Sequence, residues 1–338
     1  MRAHLIVNPV AGTHDTDDLV DAVAHYLADH DWSVAIRRTL GPGDGITYAR
    51  EAASSGIDVA VAMGGDGTLG EVASGLAHSD CKLGLVPIGT GNVWAHMVGI
   101  PTWSVRNKNA VLEAARILVE GQARQVDLGQ SGDRHFMLWS GIGFDAEVIQ
   151  EVERHRTLRR SVGNLADLVA AFVVGASLRG TRTTVVLDGK IMRQRLILAL
   201  VCNAQLYGRA FRVAPQARLD DGVLDVFIFK GGSMLDALRH AASVLVNLHA
   251  KDPKIEYHRA RQVEIHSEQP LPLHLDGDPV GTTPAEISVA HRAISVIFPK
   301  TAPASLFESA EQEPEESSLM DRLLGRHRQE RTEHVGQA

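Results

Sequence analysis

Residues 59–77 read VAVAMGGDGTLGEVASGLA and combine an apolar run, a glycine-aspartate loop and a helical pattern. Its apolar start is typical of a strand in a parallel sheet that is buried on both faces. Gly64, Gly65 and Gly67 then allow the backbone to turn tightly and to approach a ligand. Apolar residues recur at helical spacing from Leu69 onward. A strand, a glycine loop and a helix N-terminus form an anion site, because unpaired N–H groups and the helix dipole attract negative charge.

A second loop of similar chemistry ends the next apolar run. Residues 83–86 are apolar, and residues 87–92 read PIGTGN. A tight turn without a ligand would explain one glycine pair, but two phosphate-type loops on neighbouring strands predict a nucleotide site. Neither loop matches the G-x-x-x-x-G-K-[ST] P-loop, and no strand-to-helix G-x-G-x-x-G fingerprint of dinucleotide-binding proteins is present.

The pattern around both loops resembles the catalytic domain of the diacylglycerol kinase and sphingosine kinase family of lipid kinases. GGDGT is followed by Glu71, Val72 and the pair Gly75 and Leu76, and GTGN occupies residues 89–92. GGDGT alone also occurs in NAD kinases, and phosphofructokinases have a related loop. Further matches extend the resemblance over residues 3–298. It implies a kinase that uses ATP and Mg²⁺ and whose acceptor is a lipid hydroxyl.

The resemblance also implies which residues form the active site. The implied nucleotide-binding residues are Asn8, Pro9, Thr39, Gly64, Gly65, Asp66, Gly67, Thr68, Glu71, Gly89, Thr90, Gly91, Asn92 and Asp278. Asp276 stands where the family has the Asp of a D-G-E segment, which makes it the implied general base, and Asp66 is the second implied catalytic residue. Asp66 and Asp127 are the implied ligands of Mg²⁺. An ordinary Asp-Gly hairpin turn is the alternative for residues 276–278.

This chain departs from the family pattern directly after the second loop and at Asp278. The family usually has Asp after the GTGN asparagine, where this chain has Val93, and Glu at the position of Asp278. The departure at Val93 leaves the subfamily open, and the departure at Asp278 leaves its auxiliary role open.

A further acidic segment surrounds Gly222. Its carboxylates are Asp220, Asp221 and Asp225. Oxygen-rich clusters of this kind suit a hard cation, and bacterial members of the family hold a structural magnesium in a matching segment. The resemblance therefore implies a second metal here, with a solvated acidic turn as the alternative.

Strand and helix patterns alternate through residue 92, which predicts β-α-β units and a parallel sheet. We expect an α/β nucleotide-binding domain over residues 1–125, similar to NAD kinases and phosphofructokinases. Residues 126–300 are rich in strand patterns and predict a mostly antiparallel β-sandwich that receives the lipid. Residues 301–338 are rich in Glu, Ser and Arg and predict a disordered tail. Residues 94–100 are interpreted as a connector.

Composition and hydropathy limit the classes of partner that this protein is expected to bind. The formal net charge of −7 argues against a general nucleic-acid binder. The chain has no uninterrupted 18-residue apolar segment and no signal-peptide pattern. We therefore expect a cytoplasmic protein that is peripheral at the membrane and has no transmembrane segment. The basic residues 154–160 and the apolar residues 162–178 are either a solvated helix start before a core helix or a membrane-facing segment. Exposed sheet edges make a homodimer reasonable.

Two other functions stay open at this point. An NAD kinase-like enzyme would share the first loop and the two-domain plan, although the G-x-L-G-F segment expected of NAD kinases is absent. A protein that binds nucleotide or lipid without catalysis would keep the fold. The sequence does not indicate which lipid is the acceptor.

Overall fold

The computed structural model describes residues 1–12, 16–104, 107–144, 146, 180–208, 211–245 and 248–308. The first strands are β1 (Arg2–Val7), β2 (Ser33–Arg38), β3 (Val59–Gly64), β4 (Lys82–Pro87), β5 (Gln122–Ser131), β6 (Arg134–Phe136) and β7 (Trp139–Gly143). The later strands are β8 (Thr181–Leu187), β9 (Lys190–Cys202), β10 (Leu224–Lys230), β11 (Ile255–Ala260), β12 (Gln262–Ser267), β13 (Pro272–Leu275), β14 (Asp278–Thr282) and β15 (Ala285–Phe298). The α-helices of these ranges are α1 (Asp17–Asp29), α2 (Asp44–Ser54), α3 (Asp66–Leu76), α4 (Val93–Val98), α5 (Ala110–Glu120) and α6 (Met234–Leu245). Short 3-10 turns lie at His249–Lys251 and Ala304–Leu306.

The first half of the chain forms a parallel sheet in the order β2-β1-β3-β4. Every residue of β3 is buried, as its unbroken apolar run predicts. Because β-α-β crossovers are right-handed, the reversal in strand order after β2 places α1 on one face of the sheet and α2 and α3 on the other. The contacts agree, since α1 packs against α5 whereas α2 packs against α3. The predicted parallel α/β half is confirmed.

The reversal in strand order leaves a crevice between the carboxyl ends of β1 and β3. The chain leaves these strands toward opposite sides of the sheet, and ligands of open α/β sheets bind in such a crevice. The backbone N–H of Asn8, just after β1, donates to the Met63 carbonyl of β3 at 3.0 Å. The loops that follow the two strands therefore start side by side, and the glycine loop opens into the crevice.

The second half is mainly antiparallel, in the order β14-β13-β7-β9-β8-β12-β15, and β10 pairs with both β9 and β11. Side chains of β10 alternate between two cores. Val226 and Ile228 belong to a core within the second half, whereas Phe227 and Phe229 belong to a larger core that continues into the first half. Because successive side chains point to opposite faces of a strand, β10 is buried on both faces. The predicted antiparallel, sandwich-like half is confirmed.

Two long strands, β5 and β15, join the halves. β15 pairs with β12 near its start, and near its end Val296 lies opposite Leu83 of β4 in a parallel pair. β5 pairs antiparallel with β15, from the pair of Ser288 and Gln130 to the pair of Phe298 and Gln122. The sheet of the first half is therefore extended by residues from the end of the second. The predicted boundary after residue 125 falls inside a strand that serves both halves.

The packed structure extends into the first residues of the predicted tail. Leu306 and Phe307 are 1% and 2% exposed. The Phe307 ring packs edge-on against Phe298, with ring centroids 5.2 Å apart, and the Arg124 guanidinium lies 4.4 Å from the Phe307 centroid. These apolar side chains belong to the core, so the predicted start of the tail at residue 301 is corrected. Residues 309–338 lie outside the described ranges.

The segment interpreted as a connector contains the helix α4. It ends at Gly99, whose φ of +83° is left-handed, and Pro101 follows. A glycine in this conformation with a proline soon after it is a common helix stop. That signal was available in the sequence, but the short length of α4 hides the apolar periodicity that usually reveals a helix.

Candidate active site

The loops after β1, β2 and β3 meet at the crevice. Asn8 Nδ2 donates to Thr68 Oγ1, in the first turn of α3, at 3.2 Å. Thr39 is buried, and its hydroxyl donates to the Val7 carbonyl at 3.3 Å. The structure therefore brings these predicted nucleotide-binding positions together around the start of α3. Binding of ATP by Asn8, Pro9, Thr39 and Thr68 stays a prediction.

The second glycine loop lies against the first. The Gly64 carbonyl accepts backbone hydrogen bonds from Ile88 at 3.0 Å and from Gly89 at 3.1 Å. A Cβ atom on Gly89 would lie 2.5 Å from the Gly65 Cα, so the two backbones can approach only because this position lacks a side chain. The two predicted phosphate loops thus form one continuous backbone surface at the N-terminus of α3, here called the glycine surface (residues 64–68 and 87–92).

Asp66 links the glycine surface to α4. Its Oδ2 accepts the Val93 N–H at 2.9 Å and its Oδ1 accepts the Trp94 N–H at 3.1 Å. The carboxylate therefore caps the N-terminus of α4, as acidic residues do at helix starts. Burial raises the pKa of Asp66, and the two N–H groups counteract part of that rise. Its predicted roles in catalysis and Mg²⁺ binding stay predictions.

Asn92 supplies an unused oxygen atom at the same surface. Its backbone is left-handed, with φ +52°, and its Nδ2 donates to the Gly89 carbonyl at 2.7 Å. Its Oδ1 is buried and has no hydrogen-bond partner among the described residues. A buried acceptor without a partner is costly. Together with the Asp66 carboxylate, this amide oxygen matches the oxygen ligands that Mg²⁺ prefers.

Glu71 contacts the backbone at the start of α2, which the sequence pattern does not predict. Its Oε1 accepts the Gly43 N–H at 2.8 Å, and its Oε2 accepts the Gly45 N–H at 2.9 Å. Both groups lie at the start of α2, so Glu71 caps that helix from α3. Both carboxylate oxygens are engaged in this way, and direct contact of Glu71 with a nucleotide stays a prediction.

Asp276 reaches the glycine surface from the second half of the chain. It lies in the turn between β13 and β14 with φ +49°. Its Oδ2 accepts the Met137 N–H at 2.8 Å, and its Oδ1 accepts the N–H groups of Leu138 at 2.8 Å and Trp139 at 3.0 Å. A Cβ atom on Gly70 would lie 3.0 Å from Asp276 Oδ2. The carboxylate is therefore fixed directly over α3.

The surroundings of Asp276 raise its pKa to about 7. Burial is the largest cause, three backbone N–H groups oppose it, and the negative charge of Asp66 adds to it. The two predicted catalytic carboxylates are thus close enough for one to perturb the other. A carboxylate with a pKa near neutrality is suited to accept a proton in catalysis.

Asp278 follows shortly after Asp276 and pairs with Arg134. Asp278 Oδ1 lies 3.9 Å from the position that a Cβ atom on Gly67 would take. Arg134 Nη2 donates to Asp278 Oδ2 at 3.4 Å. The sequence does not single out Arg134, because its partner Asp278 is 144 residues away along the chain. Only the folded chain brings Arg134 to Asp278.

Asp127, the other predicted Mg²⁺ ligand, contacts a different part of the molecule. Its side chain is fully buried. Oδ2 accepts the Gly222 N–H at 2.6 Å, and Oδ1 accepts the Arg292 N–H at 2.6 Å and lies 2.8 Å from His291 Nδ1. Burial raises the pKa of Asp127, and these donors counteract it. These partners belong to the acidic loop and to β15, and a contact of Asp127 with Mg²⁺ at ATP stays a prediction.

The acidic loop itself is engaged by protein groups. Asp220 Oδ1 accepts a backbone N–H at 2.7 Å, Asp221 pairs with Arg259, and Asp225 Oδ1 accepts the Tyr257 hydroxyl at 2.6 Å. Burial raises the pKa of Asp221 to about 6. Within the described ranges, no group of three or more His, Cys, Asp or Glu side chains is arranged to hold a metal ion. A structural metal at this loop stays a prediction.

The predicted membrane-facing segment, residues 154–160 and 162–178, lies outside the described residues. None of the helices that the structure describes combines the length and the apolar character of a membrane span.

Family models match both halves of the chain. Residues 2–131 match the diacylglycerol kinase catalytic domain, and residues 140–298 match the YegS C-terminal NAD kinase beta sandwich-like domain. A diacylglycerol kinase of Bacillus subtilis (strain 168) is 32% identical over 301 residues, which cover 88% of this chain and 97% of the relative. A diacylglycerol kinase of Staphylococcus carnosus (strain TM300) is 26% identical over 301 residues, which cover 88% of this chain and 95% of the relative.

Solved structures show the same fold. A crystal structure of a diacylglycerol kinase from Bacillus anthracis str. Sterne has a TM-score of 0.66 at 22% identity and covers 89% of this chain and 98% of that chain. A second crystal structure from that organism has a TM-score of 0.73 at 23% identity, with the same coverage. Since both halves match in chain order and one relative is 32% identical over almost its whole length, this chain belongs to the diacylglycerol kinase family of lipid kinases.

Proposed function

We propose that this protein is an ATP-dependent lipid kinase, which transfers the terminal phosphoryl group of ATP to a hydroxyl of diacylglycerol or a related lipid. The observation that carries the proposal is the position of Asp276. Its carboxylate comes from the second half, lies over Gly70 of α3, and has a pKa of about 7. A proton acceptor and a phosphate-binding helix N-terminus therefore face the same cleft.

The glycine surface supports the nucleotide side of the proposal. The close approach of Gly65 and Gly89 leaves backbone exposed without side chains, and the first N–H groups of α3 have no partner within the helix. We place the ATP phosphates on residues 64–68 and 89–92. The Asp66 carboxylate and the unpaired Asn92 Oδ1 fit a divalent cation, with Asp127 as a further predicted ligand. Mg²⁺, when bound, neutralises charge on the transferred phosphoryl group.

The acceptor step uses Asp276. The lipid hydroxyl oxygen forms a bond to the terminal phosphorus of ATP, while the bond from that phosphorus to the bridging oxygen breaks and ADP leaves. The hydroxyl proton passes to the Asp276 carboxylate and then to water. The N–H groups of Met137, Leu138 and Trp139 keep the carboxylate in place during this exchange. Phosphoryl transfer depends mostly on such positioning and on charge stabilisation.

The test is incubation of the purified protein with radiolabelled ATP, Mg²⁺ and separate acceptors. The acceptors are diacylglycerol, a sphingoid base, ceramide and, as a control, NAD. We expect label in a phosphorylated lipid. Label in NAD instead would establish an NAD kinase-like enzyme, and nucleotide binding without any labelled product would establish a non-catalytic binding protein.

A further inference from the structure

Arg134 pairs with Asp278, whose carboxylate approaches the first turn of α3, and the reaction described above does not use Arg134. It begins β6, and its side chain is 36% exposed. Its Nη2 reaches Asp278 Oδ2 at 3.4 Å, which is longer than the roughly 2.7–2.9 Å of a strong charge-assisted hydrogen bond. Its Nε is buried and has no hydrogen-bond partner among the described residues. The guanidinium therefore keeps one donor that no described residue uses.

The turn that carries Asp276 and Asp278 runs along α3. Asp276 lies over Gly70, and Asp278 lies nearest to Gly67, which is one helical turn closer to the N-terminus. Gly67 belongs to the first turn of α3. Arg134, which pairs with Asp278, therefore lies on the side of the turn where a helix N-terminus holds phosphate.

A cation near Asp278 would offset the repulsion between the bound phosphates and the carboxylates around them. A phosphate chain on the glycine surface would meet the carboxylates of Asp66, Asp276 and Asp278, and like charges repel. Arginine counters this repulsion well, because its planar fork binds two phosphate oxygens at once. A terminal phosphate would compete with Asp278 for the guanidinium, and the long, half-exposed pair is easily exchanged.

We propose that Arg134 leaves Asp278 to contact the terminal phosphate of the bound nucleotide, and that it thereby distinguishes a nucleoside triphosphate from a diphosphate. This inference rests on the proposed function and deepens it. Arg134 lies shortly before the segment 137–139 that holds Asp276, so the same stretch of the second half contacts the donor phosphate and fixes the general base.

The test measures nucleotide affinity without catalysis. The dissociation constants of AMP-PNP, a triphosphate that is not hydrolysed, and of ADP are measured calorimetrically with Mg²⁺ for the wild type, Arg134→Ala and Arg134→Lys. We expect Arg134→Ala to weaken the binding of AMP-PNP about tenfold or more and to change the binding of ADP less than about twofold, since only the triphosphate reaches the guanidinium. Arg134→Lys keeps the positive charge but lacks the planar guanidinium. Its affinity for AMP-PNP should therefore lie between those of the wild type and Arg134→Ala.

A matched control is Arg182→Ala. Arg182 also lies in the second half and pairs with Glu268 at 3.6 Å, with 73% of its side chain exposed. The variant Arg182→Ala should leave the affinities for AMP-PNP and ADP unchanged. Asp278→Asn removes the competing carboxylate, so it should strengthen AMP-PNP binding when Arg134 is present and have no such effect in the double variant with Arg134→Ala.

The outcomes separate this inference from the proposed function. Equal weakening of AMP-PNP and ADP by Arg134→Ala, or weakening of neither in a variant with a wild-type melting temperature, would overturn the role of Arg134 alone. A wild-type protein that binds neither nucleotide would overturn the role of Arg134 and the proposed kinase together.

Discussion

At Asp276, burial and hydrogen bonding act on one carboxylate in opposite directions. Burial disfavours the charged form, whereas the N–H groups of Met137, Leu138 and Trp139 favour it. Burial is the larger effect, and the neighbouring charge of Asp66 reinforces it, so the pKa is about 7. The hydrogen bonds nevertheless fix the orientation of the group. The residue is therefore held rigidly without being fully ionised at neutral pH.

Replacement of Asp276 tests its role directly. Asp276→Asn should remove most turnover, about a hundredfold or more, while nucleotide binding persists, because general base catalysis contributes about 10²–10⁴-fold. Steady-state kinetics and calorimetry measure the two effects.

Asp188→Asn is the matched control for this variant. Asp188 also begins an Asp-Gly hairpin turn, has φ +46°, and accepts a backbone N–H from Gln262 at 2.8 Å, but it makes no contact with the glycine surface. It should keep wild-type turnover. Equal turnover of the two variants would remove Asp276 from the proposed reaction.

The raised pKa of Asp276 predicts how activity depends on pH. The base form increases as pH rises through about 7, so kcat/KM should rise across that region and level off above it. The measurement is a pH profile of kcat/KM with the lipid at subsaturating concentration. A profile that is flat between pH 6 and pH 8 would contradict the assignment of Asp276 as the base.

The same pKa has a consequence for stability with the opposite sign to that of a salt-bridged Asp. The folded state keeps the proton up to about pH 7, whereas the unfolded chain loses it near pH 4, so ionisation opposes folding as pH rises between these values. The melting temperature of Asp276→Asn minus that of the wild type should therefore increase from pH 5 to pH 8. A constant difference would contradict the raised pKa.

At the scale of elements, α3 organises its neighbours through its acidic residues. Asp66 in its first turn caps α4, and Glu71 one turn later caps α2. The helix whose N-terminus we propose as the phosphate site thus holds the N-termini of two other helices. The sequence motif predicts nucleotide binding, but in the folded chain its Asp66 and Glu71 also hold neighbouring helices in place.

The cap formed by Glu71 predicts a loss of stability on its removal. Glu71→Ala should lower the free energy of unfolding by about 1–2 kcal/mol, which is the usual cost of losing a helix cap. Urea denaturation measures the change. Glu51→Ala, in the same helix pair but half-exposed and paired with the half-exposed Arg37, should cost less than about 0.5 kcal/mol. A loss of ATP affinity without any loss of stability would instead favour a direct nucleotide contact of Glu71.

At the scale of the whole molecule, the two halves share strands and a core. β15 extends the parallel sheet next to β4, and Phe307 closes the core over Phe298. Asp276 can lie over α3 only if the halves keep a fixed relation. The shared strands provide that relation, so the cleft is a property of the complete fold.

Removal of the Phe307 side chain should destabilise this junction. Phe307→Ala should cost about 3–5 kcal/mol, as for other fully buried phenylalanines. Thermal or urea unfolding measures it. A truncation after Glu308 is the matched control and should keep the wild-type melting temperature, because the sequence beyond it predicts a disordered tail. If Phe307→Ala were as stable as that truncation, Phe307 would have no role in joining the halves.

The local features of the fold were predictable because they depend on neighbours in sequence. The buried run of β3, the glycine loop and the helix after it follow from an apolar stretch, missing Cβ atoms and helical spacing. The strand-rich second half follows from repeated short apolar runs. The motifs around Gly64 and Asp276 were sufficient to indicate a lipid kinase family, which the family comparisons confirm.

Which of these residues meet follows from the folded structure, because contacts between distant segments depend on strand order and on packing. The sequence alone determined the glycine surface and an Asp in the second half, but it did not show that Arg134 lies beside Asp278 or that Asp127 faces β15. The sequence pattern also placed the end of the core too early, since Phe307 packs against Phe298 of β15 and Arg124 of β5. Local patterns record short-range forces, whereas the cleft is formed by long-range pairing of β5 and β15.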